Sequence, residues 1–283
     1  MEYSIMERRT LVRAFALGAF TLTSVPAMML AGCSKSEPAA TDAPAVFRVG
    51  VTAGPHADIV TEAVKVAKTK GLTVEVVEFT DYITPDTALN DKKLDAAVYQ
   101  HEPFLNAFNR EQGTKLVKVA DAVVQPMGFY SKKYKSVEDI PEGATFAIPN
   151  DPSNGGRGLL LIEAAGLIKL KADRGAEATL ADIVENPKKL RIQELEAAQL
   201  PRSIDDLDVA CVPMNYVISS GLSPEKDGFF FEDRNAPYAL IIIAAREDNK
   251  DAAAVKTFVE SYQSPDVRAF IEKTFQGQVR PAW

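Results

Sequence analysis

Two periods of apolar residues alternate along the chain and lay out its elements. Phe47-Arg48-Val49-Gly50-Val51 reads as a short strand and Thr52-Ala53-Gly54-Pro55 as a turn. From His56 to Lys70 the apolar positions 59, 60, 63, 64, 66 and 67 fall close to one helical stripe, which Gly71 ends. Leu72 to Phe79 returns to a strand, so the unit is strand, helix, strand, a crossover that gives parallel, right-handed pairing. The pattern then predicts a short helix over 85–92, a strand over 94–99, a helix over 103–112 and a strand over 116–122 that stays extended to Tyr130. It starts afresh with a strand at Thr145 to Ile148 and a helix over 155–165. Strands at 190–194 and 208–212 follow, then a short helix at 214–220. Extended segments at 229–231 and 238–245 and helices over 251–263 and 265–275 complete it. Leu207-Asp208-Val209-Ala210 echoes Leu94-Asp95-Ala96-Ala97, a weak structural duplication. The fold class is α/β, with two lobes of doubly wound type.

In such sheets ligands sit beyond the C-terminal ends of the strands. The loops there are 52–56, 80–82, 99–104, 150–157 and 212–216. The most telling is Asn150-Asp151-Pro152-Ser153-Asn154-Gly155-Gly156-Arg157-Gly158, between a strand and a helix. Asp151, Ser153 and Asn154 are N-cap types, and the glycines are expected to let a ligand approach the backbone. A helix N-terminus favours an anion, and Arg157 adds a fork of donors suited to a carboxylate. Taken alone, the same segment also reads as a capped surface helix with a solvated arginine.

The first 32 residues change the picture of the compartment. Arg8, Arg9 and Arg13 precede an apolar run from Ala14 to Leu30, and Leu30-Ala31-Gly32-Cys33 follows. A basic start, an apolar middle and small residues before a cut describe a secretory signal over 1–32. The run is short and holds Pro26, which speaks against a permanent span. Met6 is an alternative start, and the twin-arginine motif around Arg8-Arg9 is incomplete. Residues 33–45, rich in Ala, Pro, Ser and charge, read as a flexible tether. The formal charge is −7 for the chain and −8 beyond Gly32, which argues against a nucleic-acid partner. About 240 residues remain for one large or two modest domains.

Candidate chemistry is sparse. The two histidines, His56 and His101, fall at strand ends, and no close-spaced cluster asks for a metal. His101 reads either as a pocket hydrogen-bonder or as a cap of the helix near Pro103. Cys211, in an apolar run, reads as a small buried hydrophobe. No nucleophile elbow, H-E-x-x-H or phosphate loop is present, so nothing asks for an enzyme or a cofactor. Tyr82, Tyr99, Phe104, Phe129 and Tyr130 form an aromatic set near the loops, suited to an apolar or thioether side chain, although several could fill the core instead.

Several stretches carry a family resemblance. They include Phe79-Thr80-Asp81-Tyr82, Tyr99-Gln100-His101-Glu102-Pro103-Phe104, Pro149 to Arg157, Val184-Glu185-Asn186-Pro187-Lys188, Glu194 to Ser203 and Arg246-Glu247-Asp248-Asn249-Lys250. From about Phe47 to Trp283 the chain resembles the NlpA-type methionine-binding lipoproteins, substrate-binding components of methionine ABC importers. Leu30-Ala31-Gly32-Cys33 is similar to a bacterial lipobox. The resemblance implies a two-lobed periplasmic-binding-protein fold, type II-like, with lobe 1 at 46–124 plus 236–283 and lobe 2 at 125–235. The hinge falls near 123–128 and 232–238. It implies that Arg157 grips an amino-acid carboxylate, that Tyr82, Tyr99 and His101 line the side-chain pocket, and that Asn154 and Asn215 are polar contacts. It implies lipid on Cys33, a monomer in the bacterial cell envelope, and an importer permease and ATPase as partners. Replacing Arg157 with alanine is expected to abolish binding with little loss of stability. The chain departs from the family where asparagines are frequent: Pro213 and Leu240 stand there, and neither side chain offers a carbonyl to an ammonium. That opens D-methionine, a methionine dipeptide or another amino acid as ligand. An adhesin or interaction lipoprotein without a transport role is the reading from another class.

Overall fold

The structure is a computed structural model and describes residues 46–283. The expected signal over 1–32, the tether over 33–45 and the lipidation of Cys33 lie outside the described residues. The chain runs β1 (Phe47–Thr52), α1 (Pro55–Thr69), β2 (Val74–Phe79), α2 (Thr84–Asn90), β3 (Ala96–His101), α3 (Glu102–Gln112), β4 (Leu116–Val124) and β5 (Met127–Tyr130). It continues through β6 (Thr145–Pro149), α4 (Pro152–Ala164), β7 (Lys169–Leu170), β8 (Ile183–Glu185), β9 (Arg191–Leu195), α5 (Leu200–Ser203), β10 (Val209–Pro213) and α6 (Met214–Ser219). It ends with α7 (Pro224–Asp227), β11 (Gly228–Phe231), β12 (Leu240–Arg246), α8 (Ala253–Tyr262), α9 (Pro265–Phe275) and β13 (Arg280–Pro281).

Among the described residues, a six-stranded sheet has the order β13-β4-β12-β3-β1-β2, and a five-stranded sheet the order β11-β5-β10-β6-β9. The two share a plan. Each has a central strand, β1 or β6, flanked by parallel partners, β2 and β3 or β9 and β10. Each then adds an antiparallel strand, β12 or β5, beside β3 or β10. The duplication seen in the sequence has a physical basis here. Asp95 Oδ2 accepts the Arg48 N–H at 2.8 Å, and Asp208 Oδ2 accepts the Thr145 N–H at 2.8 Å. In both sheets an aspartate ahead of the third strand satisfies a backbone donor at the start of the first.

The antiparallel strands are exchanged. The chain leaves the six-stranded sheet after β4, passes through Gln125-Pro126 and enters the other as β5; it returns between Glu232 and Ala239 to form β12. The extended reading of 116–130 therefore breaks at Pro126, which has no N–H to continue a ladder. Phe129 and Tyr130 correct a further expectation. Neither lines the loops: Phe129 packs against Phe146, Phe229 and Phe230 within the five-stranded sheet's core, and Tyr130 against Phe231. On β5 these residues are paired on both sides and, as strand neighbours, face opposite ways: Phe129 enters one core cluster with Phe146, and Tyr130 the other, with Ala147, Ala210 and Val212. The short elements β7, β8, β13, α5 and α7 carry too few residues to show a period. Cys211 is fully buried in the same core as Phe129, and burial pushes its thiol pKa up. No described helix is long and apolar enough to cross a membrane.

Candidate functional site

The loops after β2, β3, β6 and β10 meet between the two sheets, as ligand sites of such sheets do. They enclose a small pocket lined by Tyr82, Tyr99, His101, Phe104, Asn154, Arg157 and Asn215, with Gln100, Gln125, Pro213, Met214 and Ile241 completing the wall. The structure thus brings together all six residues singled out for ligand contact. Pro213 also lines the pocket; Leu240 does not, its neighbour Ile241 taking that place.

Local chemistry sets each side chain. Asp151 caps α4, its Oδ1 accepting the Asn154 N–H at 2.9 Å, and Pro152 occupies the first turn. The helix begins three residues before the sequence pattern suggests, because Asn154, Gly155 and Gly156 are inside it. This corrects two expectations. At the helix start Asp151 takes the Asn154 N–H on its carboxylate and the Gly155 N–H on its carbonyl, and Pro152 has none to offer, so any anion role moves to the Arg157 side chain. The glycines serve packing: a Cβ on Gly156 would lie 2.0 Å from Ala176 O, one on Gly155 2.9 Å from Pro149 O, and one on Gly158 3.0 Å from the Ile148 side chain.

His101 ends β3 and caps α3. Its Nδ1 accepts the Phe104 N–H at 3.1 Å, so the ring proton sits on Nε2, which donates to Asn154 Oδ1 at 3.0 Å. Both alternative readings of His101 hold at once. Burial, with the Arg157 charge beside it, lowers its pKa to about 3, which keeps the ring neutral. Asn154 Nδ2 in turn donates to both Asp151 oxygens, at 3.0 and 3.2 Å, which fixes the amide so that Oδ1 faces His101. Burial raises the Asp151 pKa.

Across the cleft, the Tyr82 hydroxyl donates to Asn215 Oδ1 at 2.7 Å. Tyr99 donates to the Tyr82 carbonyl at 2.7 Å, and Tyr216 to the Thr80 carbonyl at 3.1 Å. Tyr82 stacks on Tyr99 with centroids 6.0 Å apart, and Phe104 meets both edge-on. These rings make one apolar wall. Behind it, Gln100 Nε2 donates to Asp86 Oδ1 at 2.8 Å, and burial raises the Asp86 pKa to about 7. Gln100 Oε1, Gln125 Nε2 and Asn215 Nδ2, on lining residues, are buried and hydrogen-bond no described residue.

Arg157 is 3 % exposed, which excludes the solvated-arginine reading. Its fork is already engaged: Nε donates to Glu232 Oε1 at 3.0 Å, and Nη2 donates to Glu232 Oε2 at 2.6 Å and to the Gln125 carbonyl at 3.1 Å. Nη1 reaches Asn154 Oδ1 at 3.4 Å. Breaking a buried ion pair from one side costs about 3–5 kcal/mol, so an alanine at Arg157 would not leave stability untouched, against the sequence expectation. Glu232 escapes sequence reading because 75 residues separate it from Arg157 and no local motif links them. No group of three or more His, Cys, Asp or Glu among the described residues could hold a metal ion.

Fold and pocket place the molecule among proteins of two-lobed periplasmic-binding architecture, and comparison with known proteins narrows the class. The chain belongs to the NlpA lipoprotein family, whose sequence profile matches residues 47–283. It is similar to Lipoprotein 28 of Escherichia coli K12, 49% identical over 259 residues that cover 90% of this chain and 93% of that one. It is similar also to the D-methionine-binding lipoprotein MetQ of Salmonella typhimurium, 46% identical over 262 residues covering 92% and 95%. Among solved structures it resembles a nutrient-binding protein from Burkholderia cenocepacia bound to methionine, with TM-score 0.82 and 45% identity over 84% of this chain and 100% of that one. A periplasmic substrate-binding protein of an ABC transporter from Coxiella burnetii gives TM-score 0.79 and 43% identity over 83% and 100%.

Proposed function

We infer that this protein is an extracytoplasmic receptor of a bacterial cell envelope that captures methionine and passes it to the permease and ATPase of an ABC importer. In this reading it is a monomer held to the membrane by lipid on Cys33. The observation that carries the reading is the convergence, around one pocket, of a guanidinium edge at Arg157, amides at Asn154 and Asn215, and an aromatic wall of Tyr82, Tyr99 and Phe104. Arg157 takes the carboxylate, and the rings take a thioether, for which sulfur–aromatic contact is favourable. His101 stays neutral and orients Asn154. The relatives named for methionine support the ligand, and the one from an ABC transporter supports the role.

The two crossings support a hinge closure of the lobes. We take residues 46–124 with 236–283 as one lobe and 125–235 as the other, turning about the segments near 123–128 and 232–238. Isothermal titration calorimetry of the purified protein, freed of co-purified ligand, tests the reading. Heat of binding with L-methionine is the expected result; no heat would sink it.

Pro213 on the pocket wall favours a second reading within the same fold. It offers no side-chain carbonyl to an ammonium, so D-methionine, a methionine dipeptide or another amino acid could fit better. Mass spectrometry of what co-purifies separates the two, and recovery of L-methionine alone counts against the second.

A further inference from the structure

Glu232 lies where the chain returns from the five-stranded sheet to the six-stranded one, and it ties that crossing to the other. Its backbone N–H donates to the Met127 carbonyl at 3.0 Å, and the Met127 N–H donates to its Oε2 at 3.1 Å. The same carboxylate takes Nε and Nη2 of Arg157, and Nη2 also reaches the Gln125 carbonyl on the first crossing. The side chains are 4 % and 10 % exposed, so solvent screens this pair little. Three of the five guanidinium N–H groups are thereby spent on the crossings. Nη1, which reaches the pocket-lining Asn154, is left for a ligand.

We propose that Glu232 is a positioning residue of the ligand site: it holds the Arg157 guanidinium against both crossings and presents Nη1 to the ligand's carboxylate. The inference rests on the reading that Arg157 receives that carboxylate. It also joins recognition to closure, since the group that meets the ligand is bonded to the segments about which the lobes turn. Glutamine cannot substitute. Three N–H groups, from Met127 and from Nε and Nη2 of Arg157, converge on the carboxylate, and an amide would set its own donor against at least one of them.

The experiment measures affinity for L-methionine and for L-methioninol, in which a hydroxymethyl group replaces the carboxylate. In Glu232→Gln the affinity for L-methionine should fall at least tenfold while that for methioninol holds within about twofold, so the preference between them collapses. Glu232→Asp, which keeps the charge but withdraws it by one methylene, should move the preference the same way and serves if the glutamine variant does not fold. An unchanged preference, an equal loss for both ligands, or tighter methionine binding overturns the proposal; the last would mean that Glu232 competes with the ligand for Arg157. Arg157→Lys keeps the charge and loses the fork, and should also collapse the preference. If it does not, the assignment of Arg157 to the carboxylate fails, whatever Glu232→Gln shows.

Discussion

His101 carries two jobs on one ring, and its charge state follows from them. Nδ1 is committed to the start of α3 and Nε2 to Asn154, so the ring has no place for a second proton. Burial holds both His101 and His56 near pKa 3, well below the ordinary 6.5. For such groups the unfolded chain binds protons that the folded one refuses. Their stabilising contribution is complete above pH 6.5 and is lost as the pH falls toward 3. Asp86 opposes them: with its pKa raised to about 7 from 3.8, the folded state holds the extra proton, and that contribution is lost as pH rises toward 7. Asp58 and Asp151, also raised, side with Asp86, whereas Asp81, Asp182, Asp208 and Asp248, all lowered, side with the two histidines, and the balance predicts that the melting temperature falls on acidification from pH 6.5 to 4.5. His101→Asn keeps a cap acceptor but no titrating ring, so its curve should lie lower at pH 7 and run flatter toward acid; a slope as steep as the parent's would contradict the assignment. Tyr82→Phe removes one hydrogen bond across the cleft, to Asn215, and should weaken L-methionine binding by about 0.5–1.5 kcal/mol in calorimetry. Tyr82, Tyr99, His101 and Arg157 were legible in the sequence from residue type and strand-end position, and Asn154 and Asn215 as polar contacts were legible only through the family resemblance. Which atoms each one meets was not legible, because the partners lie across the cleft: 133 residues separate Tyr82 from Asn215 and 53 separate His101 from Asn154.

At the scale of elements, the segment from Asn150 to Gly158 shows how far a local pattern reaches. Strand, polar loop and helix are legible from apolar runs and cap types, because those are local choices of the backbone. The purpose of the glycines is not. They sit inside α4 and let it approach Pro149 and Ala176, and the closer approach, to Ala176, is set by a chain segment that the local window does not contain. Gly156→Ala is therefore expected to destabilise in spite of alanine's better helix propensity, since its Cβ would fall 2.0 Å from a backbone oxygen. Overpacking of this kind costs about 1–3 kcal/mol or more, readable as a lower denaturation midpoint in urea. A midpoint equal to the parent's would show that α4 can move away. The echo of Leu94-Asp95 in Leu207-Asp208 was legible as sequence and proved to be a repeated backbone bond, at Arg48 and Thr145.

At the scale of the whole molecule, two crossings join the sheets, and the candidate pocket, the Arg157–Glu232 pair and the crossings form one connected structure. Closure about those crossings predicts a smaller radius of gyration in small-angle scattering when L-methionine is added to ligand-free protein. An unchanged value would remove hinge closure from the account.

The sequence by itself determined the order and type of the main elements, the α/β class, the strand ends where a ligand would sit, and the residue types gathered there. Each of these follows from periodicity, caps and turn chemistry within a few residues of chain. Only the tertiary structure decided that Phe129 and Tyr130 turn to the core, and that Arg157 is already paired with Glu232. Those outcomes depend on contacts between segments far apart in the chain, and a buried charge takes the partner that folding brings to it.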